Sequence, residues 1–181
     1  MKKLFIIPAL VLAIGITSCG NNAEKKEEGA STETTTTEPE ATETASTATV
    51  EGIENVTLSN QWTVEANDQM QFNTTLIRVK AGEPVELTLK NVGSMPVESM
   101  GHNLVVLKPG VDVATFGGEA TAAADNEYIP KSALSSIVAH TKLLGPGQED
   151  KITFTLEKGV YPYLCSFPGH FGIMHGQIVA E

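Results

Sequence analysis

Apolar and polar positions alternate in short runs through the second two-thirds of the chain. Leu76–Val79, Val85–Leu89 (Val-Glu-Leu-Thr-Leu) and Ile152–Leu156 (Ile-Thr-Phe-Thr-Leu) carry the period-two pattern or the β-branched content of half-buried strands. Asn103–Leu107 and Val160–Leu164 are more continuously apolar, and Ile178-Val179 resume a strand near the end. Turn signals punctuate these runs at Ala81-Gly82-Glu83-Pro84, Lys108-Pro109-Gly110 and Gly145-Pro146-Gly147. Short strands at this spacing predict an all-β fold, an antiparallel β-sandwich. The Ala-rich stretch Asp112–Ser135 breaks the rhythm and predicts a short helix or flap outside the sheets. No internal repeat and no second domain are evident, and the folded domain is expected over 53–181. A chain of that length buries about two-thirds of its unfolded surface in one core.

The pattern at the start is different. Lys2 and Lys3 precede an apolar run from Leu4 to Ile16, the layout of a secretory leader. The run is shorter than the roughly 20 residues of a spanning helix. Ile16-Thr17-Ser18-Cys19 resembles a bacterial lipobox. The resemblance implies a signal peptide over 1–18, cleavage before Cys19, a diacylglycerol on its sulfur and acylation of the new N-terminus. Acyl chains contribute about 0.8 kcal/mol per buried methylene, so several of them anchor a protein stably. The segment after Cys19, to residue 52, is rich in Thr, Glu, Ala and Ser and poor in large apolar side chains. Such a stretch cannot offset its ordering entropy by burial and is expected to be disordered. Its glutamates repel one another, and a flexible chain of this length spans on the order of 30 Å. An exported protein tethered to a bacterial membrane, on a periplasmic face or the cell surface, is the expectation.

The formal charge of −10 becomes more negative once Lys2 and Lys3 leave with the leader. That excludes a phosphate-binding, nucleic-acid role. With two cysteines in all and Cys19 lipidated, Cys165 is left as a lone thiol. A single free thiol in an exported chain needs protection, and metal coordination supplies it.

Candidate chemistry concentrates in Tyr161–Gly176, YPYLCSFPGHFGIMHG. Cys165, His170 and Met174 stand in the pattern C-x4-H-x3-M, and His102 lies upstream in SMGHNLVV. A thiolate, two imidazoles and a thioether suit copper better than other common metals. Cys165 closes an apolar strand, Phe167-Pro168-Gly169 turns the chain, and His170 and Met174 follow on the turn. Taken singly, Cys165 reads as a small buried hydrophobe, Met174 as core filler and His102 as a satisfied core histidine. Taken together, in this order, they read as a trigonal His-Cys-His set with a long axial Met, the site of blue-copper electron carriers.

The segments NDQMQFNT, SMGHNLVV, VAHTKLLGPG and CSFPGHFGIMHG, between Asn67 and Val179, resemble the azurins of the cupredoxin family. The resemblance implies a Greek-key β-sandwich, one type 1 copper and single-electron transfer by Cu(I)/Cu(II) cycling. It assigns His102, Cys165 and His170 as equatorial ligands, Met174 as axial ligand and the Gly101 carbonyl as a second weak axial donor. It makes Asn103 the side chain that pins the cysteine loop and puts backbone amides near Phe167 on the Cys165 sulfur. His140 fits a surface histidine of the family, and His175 should point away from the metal. The family's disulfide is absent, Leu104 stands at its buried tryptophan, and Asn91 replaces a histidine linked to pH effects, so no pH-switched potential is expected. Trp62 lies before the matching segments.

Met70, Met95, Met100, Phe167, Pro168, Phe171 and Ile173 are expected to build an apolar patch around the exit for the electron at His170. A few hundred Å² of such surface suits a weak, transient redox partner, a cytochrome or a reductase or oxidase. The domain is expected as a monomer. A copper enzyme is discounted, because a second, catalytic copper needs more histidines than His140 and His175. A copper storage or delivery lipoprotein is the alternative, and labile metal on exposed Met/His clusters is what distinguishes it.

Overall fold

The computed structural model describes residues 50–181. The leader, Cys19 and the linker as far as residue 49 lie outside the described residues. The strands are β1 (Gln61–Asn67), β2 (Gln71–Phe72), β3 (Leu76–Val79), β4 (Pro84–Asn91), β5 (Val105–Leu107), β6 (Ile137–His140), β7 (Glu149–Thr155), β8 (Gly159–Leu164) and β9 (His175–Ala180). They form two sheets, ordered β2-β1-β4-β7 and β3-β9-β8-β5-β6.

The alternation seen along the chain sorts side chains between core and solvent. Val85, Leu87 and Leu89 of β4 are fully buried, while Glu86 and Lys90 point out and pair with Lys151 and Glu149 at 3.3 and 3.2 Å. Val64 and Ala66 of β1 extend the same buried face. Ile77, Val79, Leu104, Val106, Tyr163 and Ile178 meet it from the other sheet. Each fully buried aliphatic side chain contributes roughly 1.5–3 kcal/mol, against 0–1 kcal/mol for an exposed ion pair, so the inner faces hold the sandwich together.

The expectation of a wholly antiparallel sandwich is corrected. β1 runs parallel to β4, Gln61 opposite Glu86, and β3 runs parallel to β9, Leu76 opposite Gln177. The reason is the crossover: β3 belongs to the other sheet, so the chain leaves the first sheet after β2 and re-enters it as β4 in the direction of β1. Crossings of this kind give the Greek-key connectivity.

The strand expected from Asn103 begins at Val105 instead. His102 pairs with Leu144 in an isolated bridge, and the Leu104 amide donates to Thr141 Oγ1 at 3.0 Å. A side-chain hydroxyl there replaces a ladder partner, and the strand edge splays open. Between β4 and β5 lies a single helical turn, α1 (Val97–Met100), and between β5 and β6 lies α2 (Val113–Ala120) followed by 3-10 turns. Asp112 caps α2 by accepting from the Thr115 amide at 2.7 Å. This insertion stays outside the sheets as expected, but it has a core of its own: Phe116 and Ile129 pack with Val105, Leu107 and Leu164.

Gly176 shows how tightly the β8–β9 hairpin is built. A Cβ there would meet the Thr75 carbonyl oxygen and the Tyr163 ring, and the Tyr163 hydroxyl is fixed by donating to the Thr74 carbonyl at 2.7 Å. Gly176→Ala should cost about 1–3 kcal/mol as overpacking against backbone that cannot yield. A urea titration checks this, and a midpoint equal to that of the unsubstituted protein refutes it.

Candidate metal centre

β8 ends at Leu164 opposite His175 at the start of β9, so the intervening residues form a hairpin-end loop. The loop closes on itself. The Cys165 amide donates to the Met174 carbonyl at 2.9 Å, the Met174 amide to the His170 carbonyl at 2.8 Å, and the His170 amide to the Phe167 carbonyl at 3.0 Å. Gly169, with φ 83, makes the left-handed turn that permits this. The turn brings His170 and Met174 back beside Cys165.

His102 arrives from the splayed strand edge. Its amide donates to the Leu144 carbonyl at 3.1 Å and its carbonyl accepts from the Leu144 amide at 2.8 Å. Gly101 before it is buried, and a side chain there would press on the Val97 carbonyl and Leu143.

His102 Nδ1 lies 3.9 Å and His170 Nδ1 3.5 Å from Cys165 Sγ. One donor atom from each residue falls within 4.8 Å of the others. The two rings are 5.0 Å apart. His102 and Cys165 are fully buried, His170 is 2% exposed, and Met174 is fully buried beside them in chain and core. The Phe167 ring lies tilted against His170, with centroids 4.7 Å apart.

Burial dominates the electrostatics of the group and keeps its members neutral. Burial pushes the Cys165 thiol up to about 11, while the backbone amides of Asn103 and Phe167 pull the other way by favouring the thiolate. Burial, with the charge of His102 second, lowers His170 to about 4. Burial also lowers His102, opposed by the Asn67 carbonyl and by Asp68. Although the Asn67 carbonyl favours a proton on the ring, no contact to His102 Nε2 meets hydrogen-bond geometry, and that atom is a buried nitrogen without a partner. Two neutral imidazoles and a thiol, with both Nδ1 atoms turned toward Cys165 Sγ, fit a soft metal ion, which these three residues would hold with the Cys165 proton displaced.

Asn103 holds the cysteine loop from the next residue along. Its Oδ1 accepts from the Ser166 amide at 2.8 Å, and its Nδ2 donates to Ser166 Oγ at 2.8 Å. Leu104 is fully buried in the core. Buried Asn91 donates to the Leu144 carbonyl at 3.0 Å and accepts from the Gly93 amide at 2.9 Å, so it steadies the bridge that carries His102.

Of the expected surface patch, Ile173 and Met95 are exposed, Met70, Met100, Pro168 and Phe171 are half-buried, and Phe167 is buried. Asp68 accepts from Ser94 N and from the Met95 amide, which fixes the Met95 loop. His140 and His175 are exposed, and neither joins the His-Cys-His group.

Sequence reasoning missed Ser166, Thr141, Leu144 and Gly117. The first three act through backbone or hydroxyl bonds to residues far along the chain and leave no local pattern. Gly117 lies in α2, and a Cβ there would enter the Phe171 ring, so the ligand loop rests directly on helix backbone.

Two packed sheets with a buried His-Cys-His set at one end define a type 1 copper protein of cupredoxin fold. The chain belongs to the plastocyanin/azurin family of copper binding proteins, whose profile matches residues 58–181. Outer membrane protein H.8 of Neisseria gonorrhoeae is 44% identical over 120 residues, 64% of this chain and 64% of that protein. The match thus spans somewhat less than two-thirds of that relative's own length. Azurin of Alcaligenes faecalis is 39% identical over 120 residues, 64% of this chain and 93% of the azurin. Among solved structures, an azurin from Methylomonas sp. strain J superposes with a TM-score of 0.61 at 33% identity, covering 67% of this chain and 97% of that one.

Two predictions follow from this geometry. Gly117→Ala should displace Phe171 and the loop, shift the visible spectrum of the copper-loaded protein, and be partly rescued by adding Phe171→Ala; additive effects in that double-mutant cycle refute the contact. In metal-free protein the lowered histidines have a definite sign. Below about 6.5 the unfolded chain takes up protons that folded His170 refuses until about 4. Stability is therefore lost as pH falls through that window. Urea midpoints across it should decline, less steeply in a His170→Gln variant; equal slopes for the two proteins refute the assignment.

Proposed function

We propose that this domain is an electron carrier, with His102, Cys165 and His170 as equatorial copper ligands, Met174 as axial ligand and the Gly101 carbonyl as a weak second axial donor. When bound, copper supplies one-electron chemistry between Cu(I) and Cu(II). The observation that carries the reading is the convergence of the His102 and His170 Nδ1 atoms on the buried Cys165 sulfur, at 3.9 and 3.5 Å. The chain's own residues do the rest. The hydrogen bonds inside the loop and the Asn103–Ser166 clamp hold the donors in one arrangement, so neither oxidation state can rearrange them far. The amides of Asn103 and Phe167 temper the thiolate, and Phe167 screens the pocket from water. At most a sliver of the His170 ring reaches solvent, which makes it the exit for the electron.

Met70, Met95, Met100, Pro168, Phe171 and Ile173 then serve as the docking patch for a transient redox protein, a cytochrome or a reductase or oxidase, with the carrier itself monomeric. The reading is of a carrier and not an enzyme: His140 and His175 stand alone at the surface, which gives no support to a second, catalytic copper. For the rest of the chain, we propose a leader over 1–18, a lipid on Cys19, a tether to residue 52 and the copper domain over 53–181. The outer-membrane name of the Neisseria relatives and the lipobox-like Ile16–Cys19 support anchoring to a bacterial membrane.

A visible spectrum after Cu(II) loading, beside Cys165→Ser, tests the function. An intense blue thiolate-to-copper band that vanishes on substitution is expected. Copper bound without that band, or with a spectrum indifferent to Cys165, would transfer the case to storage or delivery.

A further inference from the structure

The insertion after β5 reaches the metal centre through two residues. Glu127 and Tyr128 are adjacent, neither is glycine, and both have left-handed backbone, φ 53 and φ 61. Residues with a Cβ seldom take this conformation and keep it only where the surroundings impose it. Part of what imposes it is the turn itself: the Tyr128 amide donates to the Ala123 carbonyl at 3.0 Å, and the Ile129 amide to the Asn126 carbonyl at 2.9 Å.

The other restraints come from the site. The Glu127 carbonyl accepts from Asn103 Nδ2 at 3.1 Å, the same amide group that binds Ser166 beside Cys165. The Glu127 carboxylate accepts from the Leu143 amide at 3.0 Å. Leu143 lies against Gly101 and precedes Leu144, the backbone partner of His102. The Tyr128 ring meets Phe167 edge-on at 5.0 Å, and Phe167 lies tilted against His170. Two consecutive residues thus touch the His102 segment, the strand edge that pairs with it, and the loop that carries Cys165 and His170.

We infer that the Glu127-Tyr128 corner is a positioning bracket for the metal centre, an inference that rests on the copper reading above. Glu127 ties the His102 edge to the cysteine loop, and Tyr128 backs Phe167 so that it cannot swing away from His170. Removing either should loosen the donor set without removing a donor.

The test compares five variants of the full-length, copper-loaded protein: Tyr128→Ala, Tyr128→Phe, Glu127→Ala, Glu127→Gln and Gly118→Ala. Gly118 is the control within the insertion, since a Cβ there meets nothing within 4 Å. The readouts are copper loss to excess chelator well below the melting temperature, the visible and electron paramagnetic resonance spectra, and the melting temperature of the metal-free form. Tyr128→Ala and Glu127→Ala should release copper on the order of tenfold faster, with altered spectra, as loss of an outer partner to a metal ligand does. Tyr128→Phe keeps the ring edge, Glu127→Gln keeps an acceptor for the Leu143 amide, and both should match the parent, as should Gly118→Ala. Lowered melting temperatures with parental release rates and spectra would overturn the bracket and leave these residues as closers of the turn. Should Tyr128→Ala not fold, the Glu127 pair decides the same question. A parent protein that takes up no copper would sink the copper reading and the bracket together, whereas equal release from a blue parent and its alanine variants sinks the bracket alone.

Discussion

Everything in this domain answers to one constraint: a thiol and two imidazoles must be held close together in an interior shut off from bulk solvent. An apolar pocket penalises charge on each group, which is why burial raises Cys165 and lowers both histidines. A site in that condition is neutral when empty and gains most when a soft cation takes the place of the thiol proton. The same burial removes any freedom for the donors to follow the metal's preferences as its charge changes. Rigidity and affinity therefore have a common origin in the packing around Cys165.

The sandwich meets this constraint by placing irregularity where it is needed and nowhere else. β8 and β9 pair over their full lengths, and the loop they enclose bonds to itself at Cys165, His170 and Met174. The neighbouring edge does the opposite. Thr141 takes the Leu104 amide, β5 starts late, and the opening left behind is where His102 points inward from its bridge to Leu144. Asn91 and Asn103, both buried, carry the polar bonds that an open edge would otherwise leave unmade. Fully buried polar side chains are tolerable only when satisfied in this way.

Legibility in the sequence followed the range of the interactions. Strands such as Leu76–Val79 and the core of β4 were readable because period-two burial is local. The His-Cys-His group was readable because two of its members share one loop and the third sits in a matching segment. The parallel pairings of β1 with β4 and β3 with β9 were not, since direction depends on which sheet a strand joins and not on its composition. β6 was passed over because Ile137–His140 is short, mostly half-buried and without alternation, whereas Gln61–Asn67 of β1 alternates polar and apolar side chains and was legible but missed. Ser166, Leu144 and Gly117 act across tens of residues through backbone and hydroxyl groups, which no spacing records.

The insertion illustrates how a segment that looks like decoration acquires a role. Its Ala-rich composition marks a helix, and its own small core of Phe116 and Ile129 would suffice to seat it on β5 and β8. That core alone explains neither the notch at Gly117 under Phe171 nor two left-handed residues in succession at Glu127 and Tyr128. Both features cost conformational freedom or strain, and both face the loop that carries His170. With no disulfide among the described residues to stiffen the sheets, the rigidity of the metal centre must come from packing. On the bracket reading, that packing includes a chain of aromatic contacts, Tyr128 edge-on to Phe167 and Phe167 tilted against His170, reaching the centre from the insertion.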